Sequence, residues 1–230
     1  MYQTLTEGLP KLELALNENT CRQLCAFGEA VVKQNEVMNL TAITEPTQVA
    51  KLHLLDSLSV LKAANLEGKS LIDVGCGAGF PGVPVKIGCP EVKLTLLDSL
   101  GKRMAWLERI LPELGVEAEC VTARAEEFAA QRREQYDYAT SRAVARLNIL
   151  LELTAPFVKV GGAVLAMKGA AAREELEEAK SAISKLGLKL ESVADFPVDG
   201  TSHSVIVLRK VKPTPLQYPR AYAKIKKSPL

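Results

Sequence analysis

Along the first 68 residues the apolar positions recur at helical spacing. Leu24, Phe27, Val31 and Val32 form one stripe behind the candidate caps Asn17, Asn19 and Thr20, and Thr44-Glu45-Pro46 opens a second segment carrying Val49, Leu52, Leu55 and Leu58. From Ser70 onward, short apolar runs alternate with helical stretches, the βαβ rhythm of a parallel sheet. This pattern predicts strands near 70–75, 93–98, 117–121, 136–140, 162–168, 188–194 and 204–210. Before the sixth, Ala172, Leu176, Ala179, Ile183 and Leu186 share one face of a predicted helix, four glutamates take its solvent side, and Gly187 stands where a C′ glycine belongs. The expected fold is α/β. It has a helical extension at 1–68 packed on the core, a seven-stranded, mostly parallel core at 69–212, and a tail at 213–230.

With 47% hydrophobic and 24% charged residues, a chain of 230 residues can bury a sizeable core. No window approaches the run of about 18 apolar residues that a membrane span needs. The opening MYQTLTEGLP lacks a basic region followed by an apolar one, so a cytoplasmic protein is expected. Cysteines 21, 25, 76, 89 and 120 form no CxxC pair, and His53 and His203 lie far from them and from each other, so free thiols and no metal are expected.

Charge is unevenly placed. The chain carries +2, yet seven positive charges and no negative ones follow Asp199, which leaves −5 on the first 199 residues. A basic block of this kind is a footprint for polyanions such as nucleic acid, or else a solvated terminus.

The sharpest motif is DVGCGAGFPG, Asp73 to Gly82, where the first strand ends and a helix should begin. Glycines 75, 77 and 79 let the backbone turn tightly and approach a ligand. The dinucleotide pattern G-x-G-x-x-G fails because position 80 is Phe80, and no Gly-Lys-Ser/Thr follows to make a P-loop. Asp98 ends the next strand 23 positions after Gly75, close to the ~20 expected of a carboxylate that reaches ribose hydroxyls. An adenosine-type ligand without a pyrophosphate is indicated, with S-adenosylmethionine (SAM) the leading candidate.

DVGCGAGFPGVP together with LLDSLGKRMAWL (96–107), ARAEEF (123–128), SRAVA (141–145) and AMKG (166–169) resembles one family, as do NLTAIT, LHLLDSL, YPR and KSPL near the ends. It is the bacterial ribosomal RNA small subunit methyltransferase G family, also called glucose-inhibited division protein B. The resemblance implies a Rossmann-like SAM-dependent methyltransferase acting on N7 of a guanine in the decoding region of 16S rRNA, with the rRNA or the small subunit as partner. By motif, Gly75, Phe80, Ala125, Glu126 and Arg142 would contact SAM. Where the family pattern has glycine and proline between YPR and KSPL, this chain holds Ala223 and Ile225.

The absent motifs agree with that chemistry. No Asn/Asp-Pro-Pro-aromatic follows the fourth strand to accept amine protons, and no cysteine stands there for attack on a pyrimidine; Cys120 is the nearest sulfur in sequence. N7 offers a lone pair and no proton, so no catalytic base is expected. Arg142 suits the methionine carboxylate, with an RNA phosphate or a plain ion pair as its other uses. Glu126 either orders the adenine region or is an ordinary first-turn helix residue. His53 reads as a hydrogen-bonded structural residue rather than an RNA contact, and His203 as a strand-edge residue. Lys168 and the pair Lys102-Arg103 are either phosphate contacts or solvated charges. The basic tail favours RNA over a protein or small-molecule acceptor, and the intact Gly75, Gly77, Gly79 and Asp98 argue against a non-enzymatic RNA-binding scaffold.

Overall fold

Two of the N-terminal helices start where the chain supplies a capping side chain. The computed structural model describes residues 1–198 and 200–230. Its first layer comprises α1 (Tyr2–Gly8), α2 (Glu18–Met38), α3 (Pro46–Val49) and α4 (Asp56–Ala63), with a π-helical turn at Ala50–Leu55. Asn17 Oδ1 accepts the Thr20 amide at 2.9 Å and begins α2. Glu45 accepts the amides of Thr47 and Gln48 at 2.9 and 2.7 Å while Pro46 occupies the first turn of α3, where its missing N–H costs nothing. Leu24, Phe27, Val31, Val49, Leu54 and Leu58 of this layer are fully buried.

The alternating region follows in order: β1 (Ser70–Val74), α5 (Gly82–Gly88), β2 (Lys93–Asp98), α6 (Gly101–Glu113), β3 (Glu119–Thr122), α7 (Ala125–Phe128), β4 (Tyr136–Arg142), α8 (Leu147–Thr154), β5 (Val158–Lys168), α9 (Ala172–Glu178), α10 (Lys180–Lys185), β6 (Leu188–Val198) and β7 (Thr201–Lys210). A last helix, α11 (Tyr222–Lys227), lies near the C-terminus. The seven strands form one sheet in the order β3-β2-β1-β4-β5-β7-β6. Pairing is parallel from β3 to β5, and β7 runs antiparallel to both β5 and β6. The order reverses between β1 and β4, which opens a crevice at the carboxyl ends of those strands, where open α/β sheets bind ligands.

Successive side chains of each strand feed opposite cores. Leu71, Leu96, Leu165 and Val207 join the N-terminal layer, α5 and α6 on one face. Ile72, Leu97, Val164, Ile206 and Leu208 pack against α8 and the helices after β5 on the other. Burial on both faces explains why the central strands read as continuous apolar runs. The N-terminal layer therefore covers one face of the sheet jointly with α5 and α6.

Three details differ from the sequence reading. The helix expected across 172–186 is two, parted at Ala179, whose φ of −84° and ψ of 1° leave the helical range while its methyl stays buried. β5 and β6 are longer than their apolar runs, because β5 starts at Val158 and β6 continues into a hairpin with β7. His203 is not on an edge strand: β7 lies between β5 and β6. Among the described residues, no helix is long and apolar enough to cross a membrane.

The basic C-terminal segment is anchored to the α8 face. The Arg133 guanidinium donates to the carbonyls of Thr214, Pro215 and Tyr218 at 2.5, 3.0 and 2.8 Å. Arg220 donates through its backbone N, Nε and Nη2 to the fully buried Glu152 of α8 at 2.9, 2.8 and 2.6 Å. Ile225, on the inner side of α11, is fully buried. Of the seven late basic residues, Arg209 pairs with Glu191, Lys210 is buried against Glu134 and two carbonyls, and Arg220 pairs with Glu152. Lys224, Lys226 and Lys227 are exposed.

Removing one partner of a buried ion pair strands the other charge, at a cost on the order of 3 kcal/mol. Arg220→Met is therefore expected to lower Tm by roughly 6–12 °C for a chain of this size. Thermal unfolding of the full chain checks it, and an unchanged Tm means that Glu152 does not anchor the segment.

Candidate functional site

The crevice is shaped by the loop that leaves β1. The amides of Gly75 and Cys76 donate to the Leu97 carbonyl at 2.7 and 3.1 Å, which ties the loop to the end of β2. One residue on, Asp98 accepts the Gly77 amide on Oδ2 and the Leu100 amide on Oδ1, both at 2.9 Å. Asp73, fully buried inside β1, accepts the Gly82 amide at 2.7 Å and so fixes the start of α5. Burial pushes its carboxyl up to about 7 against the opposing pull of that hydrogen bond.

The three loop glycines have different jobs. Gly77 has φ +56°, and a Cβ there would meet only the Arg103 Nη1 atom, 3.8 Å away, so this glycine faces open space. A Cβ on Gly75 would lie 2.5 Å from Val144 Cγ2; a protein neighbour, not a ligand, fills that space. At Gly79 a Cβ would meet Val83, Leu107 and Phe27, so this residue serves packing beneath the loop. Among the sequence-predicted residues, Gly75, Gly77, Phe80, Asp98, Ala125, Glu126 and Arg142 line one cavity of about 480 Å³, and Gly79 does not.

That cavity also takes walls which the sequence reading did not assign to the cofactor. Arg103 of α6, Val144 beyond β4, Leu153 of α8 and Tyr222 of α11 line it, as do Leu40, Thr41 and His53 of the N-terminal layer. Apolar walls at Val74, Leu97, Val144 and Leu153, a carboxylate at Asp98 and guanidinium groups at Arg103 and Arg142 suit a nucleoside that ends in an anionic group. Cys76 is the sulfur on the cavity wall; burial, then the nearby Asp73 and Asp98, raise its thiol well above the ordinary range. Cys120 lies on β3 with its thiol pushed up to about 11 by burial. Neither is poised as a thiolate nucleophile.

A second cavity of about 700 Å³ adjoins the first, and the two share His53, Arg142, Ala143 and Val144. Arg142 is the hub of this shared wall. Its Nη1 donates to the Leu52 carbonyl and to Asp56 Oδ2, each at 2.8 Å, and its Nη2 approaches His53 Nδ1 at 3.1 Å. A guanidinium can only donate, so Nδ1 accepts on that contact and Nε2–H donates to Thr41 Oγ1 at 2.8 Å; the Leu52 carbonyl, 3.2 Å from the same Nδ1, takes its hydrogen from Arg142. The His53 ring stacks on Phe80, centroids 4.6 Å apart at 21°. Burial, then Arg142, lowers its pKa to about 4. His203 Nδ1 lies 2.8 Å from Asp56 Oδ1, and that hydrogen bond raises the His203 pKa. Burial pushes Asp56 up, but His203 and Arg142 outweigh it and hold the carboxyl below its ordinary value. Lys168, on the wall of the second cavity, is paired with Glu175 at 2.8 Å and donates to the Ala145 carbonyl at 2.6 Å.

A family model described as rRNA small subunit methyltransferase G matches residues 20–203. The ribosomal RNA small subunit methyltransferase G of Alkaliphilus metalliredigens is 44% identical over 232 residues, which is 98% of this chain and 97% of that protein. The protein of the same name from Clostridium botulinum (strain Loch Maree) is 40% identical over 235 residues, 100% of this chain and 98% of that one. Among solved structures, M. jannaschii TYW2 in complex with AdoMet aligns with a TM-score of 0.56 at 14% identity over 68% of this chain and 75% of that one. The cyclase SpnF aligns with the same TM-score at 16% identity over 72% and 82%. Such structures share the fold alone, and a cyclase among them shows that the fold does not fix the reaction.

The His53 shift carries a signed prediction. Its folded pKa, about 4, lies below the ordinary 6.5. The unfolded chain therefore binds more protons between those values, and the stability this ring contributes is lost as the pH falls through that window. Asp73 and His203, both raised, act in the opposite sense. The difference from a His53→Gln variant isolates the ring: between pH 7 and 5 the native chain should lose about 2 kcal/mol more than the variant. Denaturant unfolding at both pH values measures it, and equal losses contradict the burial of a neutral ring.

Proposed function

The chain belongs to the rRNA small subunit methyltransferase G family, and from that premise we propose that it transfers the methyl group of SAM to N7 of a guanine in the decoding region of 16S rRNA, a reaction of the cytoplasm. The observation that carries the reading is the pair of adjoining cavities with Arg142, Ala143 and Val144 as their common wall. Two substrates that exchange a group need two pockets meeting at one point, and the carboxyl end of β4 provides that point.

SAM, when bound, would supply a methyl group on a sulfonium: a nitrogen lone pair attacks the methyl carbon in line, the C–S bond breaks, and S-adenosylhomocysteine leaves as a neutral thioether. The first cavity holds SAM with Ala123 to Glu126 and Leu153 at the adenine end and Asp98 at the ribose. Each Asp98 oxygen already accepts one backbone amide and retains acceptor capacity for a ribose hydroxyl. Gly75, Gly77 and Phe80 form the floor toward the methionine end. Arg142 spends three N–H groups on Leu52, Asp56 and His53, so two of its five remain for the methionine carboxylate. Arg103 stands on the same cavity wall as a second cation.

The second cavity receives the purine. N7 attacks as a neutral lone pair, positive charge moves from sulfur to the base, and no proton leaves in that step. General-base catalysis has nothing to accelerate, so the residues contribute alignment and exclusion of water. His53 is neutral at physiological pH and is held by Thr41, Arg142 and the Phe80 ring, which suits a fixed wall between donor and acceptor.

Two outcomes are expected. Asp98→Ala removes the ribose acceptor and also releases the amides of Gly77 and Leu100, so calorimetry should show SAM affinity reduced at least ten- to hundredfold, about 1.5 to 3 kcal/mol. Native affinity in that variant removes Asp98 from the site. Nucleoside mass spectrometry of 16S rRNA treated with enzyme and SAM should show N7-methylguanosine. A methylated cytosine or exocyclic amine, or label appearing only in protein or small-molecule fractions, overturns the reading.

A further inference from the structure

The C-terminal segment reaches the cofactor cavity. Beyond Arg220, where the chain is tied to Glu152, the next structured residues are those of α11. Tyr222 opens that helix and lines the cavity together with Ala123, Arg124 and Leu153. The guanidinium carbon of Arg124 lies 4.6 Å from the centroid of the Tyr222 ring, and Arg124 Nε also contacts Glu126 at 3.3 Å. The tail is thus joined to the loop after β3, the same loop that walls the adenine end. Ile225 is buried on the inner side of α11, while Lys224, Lys226 and Lys227 are exposed.

A helix of six residues does not hold itself together in water. Its order depends on what Tyr222 and Ile225 pack against. A ligand that adds surface beside Tyr222 strengthens that packing and, with it, fixes the three lysines in one array. Conversely, a polyanion that engages the lysines holds Tyr222 against the cavity. Such a linkage acts equally in both directions.

We propose that Tyr222 is a cofactor-site residue at the adenosine end and that α11 couples this site to RNA, so that bound cofactor and bound rRNA phosphates tighten each other. The proposal rests on the reading of the first cavity as the SAM site. The tail is thereby a wall of that site on one side and a phosphate-binding face on the other.

The test is calorimetry on the full-length chain with S-adenosylhomocysteine, which cannot donate a methyl group, with and without a transcript of the 16S decoding region. The native chain should bind S-adenosylhomocysteine, and the transcript should tighten that binding about fivefold or more. Tyr222→Ala should weaken binding roughly tenfold and abolish the tightening, whereas Tyr222→Phe, which keeps the ring, should retain both. Combined replacement of Lys224, Lys226 and Lys227 by alanine should also abolish the tightening. If the native chain binds S-adenosylhomocysteine and Tyr222→Ala binds it equally well, or if the tightening survives the lysine replacements, the coupling is wrong and the cofactor site stands. If the native chain does not bind it at all, the cofactor reading itself fails, and the proposal with it.

Discussion

Asp98 holds the amides of Gly77 and Leu100 on its two oxygens, so one carboxylate fixes both the glycine loop after β1 and the entry to α6. The adjacent Leu97 carbonyl takes the amides of Gly75 and Cys76, which adds two more ties between the same loop and the end of β2. The crevice opened by the reversal of strand order between β1 and β4 is therefore rigid on one side before any ligand arrives. Preorganisation of this kind lowers the cost of ordering a site on binding. Asp73 does for α5 what Asp98 does for the loop, from within β1.

The other side of the crevice is built from residues far away in sequence. Arg142 at the end of β4 is gripped by Asp56 and the Leu52 carbonyl of the N-terminal layer, and Asp56 in turn holds His203 of β7. A buried carboxylate with a guanidinium on one oxygen and an imidazole on the other is fixed in orientation, which keeps the cluster in one arrangement. The helical layer at the start of the chain thus acts on the chemistry in two ways. It packs on one face of the sheet beside α5 and α6, and it supplies His53 to the wall shared by the two cavities and Asp56 to the second cavity.

All seven strands were legible in the sequence: the central ones because burial on both faces leaves uninterrupted apolar runs, the edge strands β3 and β6 only through the alternation of strand and helix around them. The glycine loop was legible because positive φ and a strand-to-helix junction require that composition. What the sequence could not separate was the work of the individual glycines: Gly75 is set by Val144, nearly seventy positions on, and Gly79 by Phe27 of the N-terminal layer. Seven of the eight named site residues converge on one cavity, but Tyr222 and Arg103 carry no local signal that distinguishes a cavity wall from a surface residue. Arg142 was identified from its motif, yet its partners Asp56, His53 and Leu52 are some ninety residues away, a separation that no spacing rule reaches. The break at Ala179 was invisible because its buried methyl keeps the helical period across the turn.

The central claim is that SAM occupies the crevice organised by Asp98, and amide hydrogen exchange in the presence and absence of SAM tests it most directly. Exchange reports local opening, and a ligand that binds only the closed site slows it. The account predicts slower exchange on adding SAM at the amides of Gly75 to Phe80, at Leu100 and across Ala123 to Glu126, with little change in the hairpin of β6 and β7. Exchange rates at Gly77 and Leu100 that are untouched by saturating SAM, or protection confined to a different surface, would contradict it.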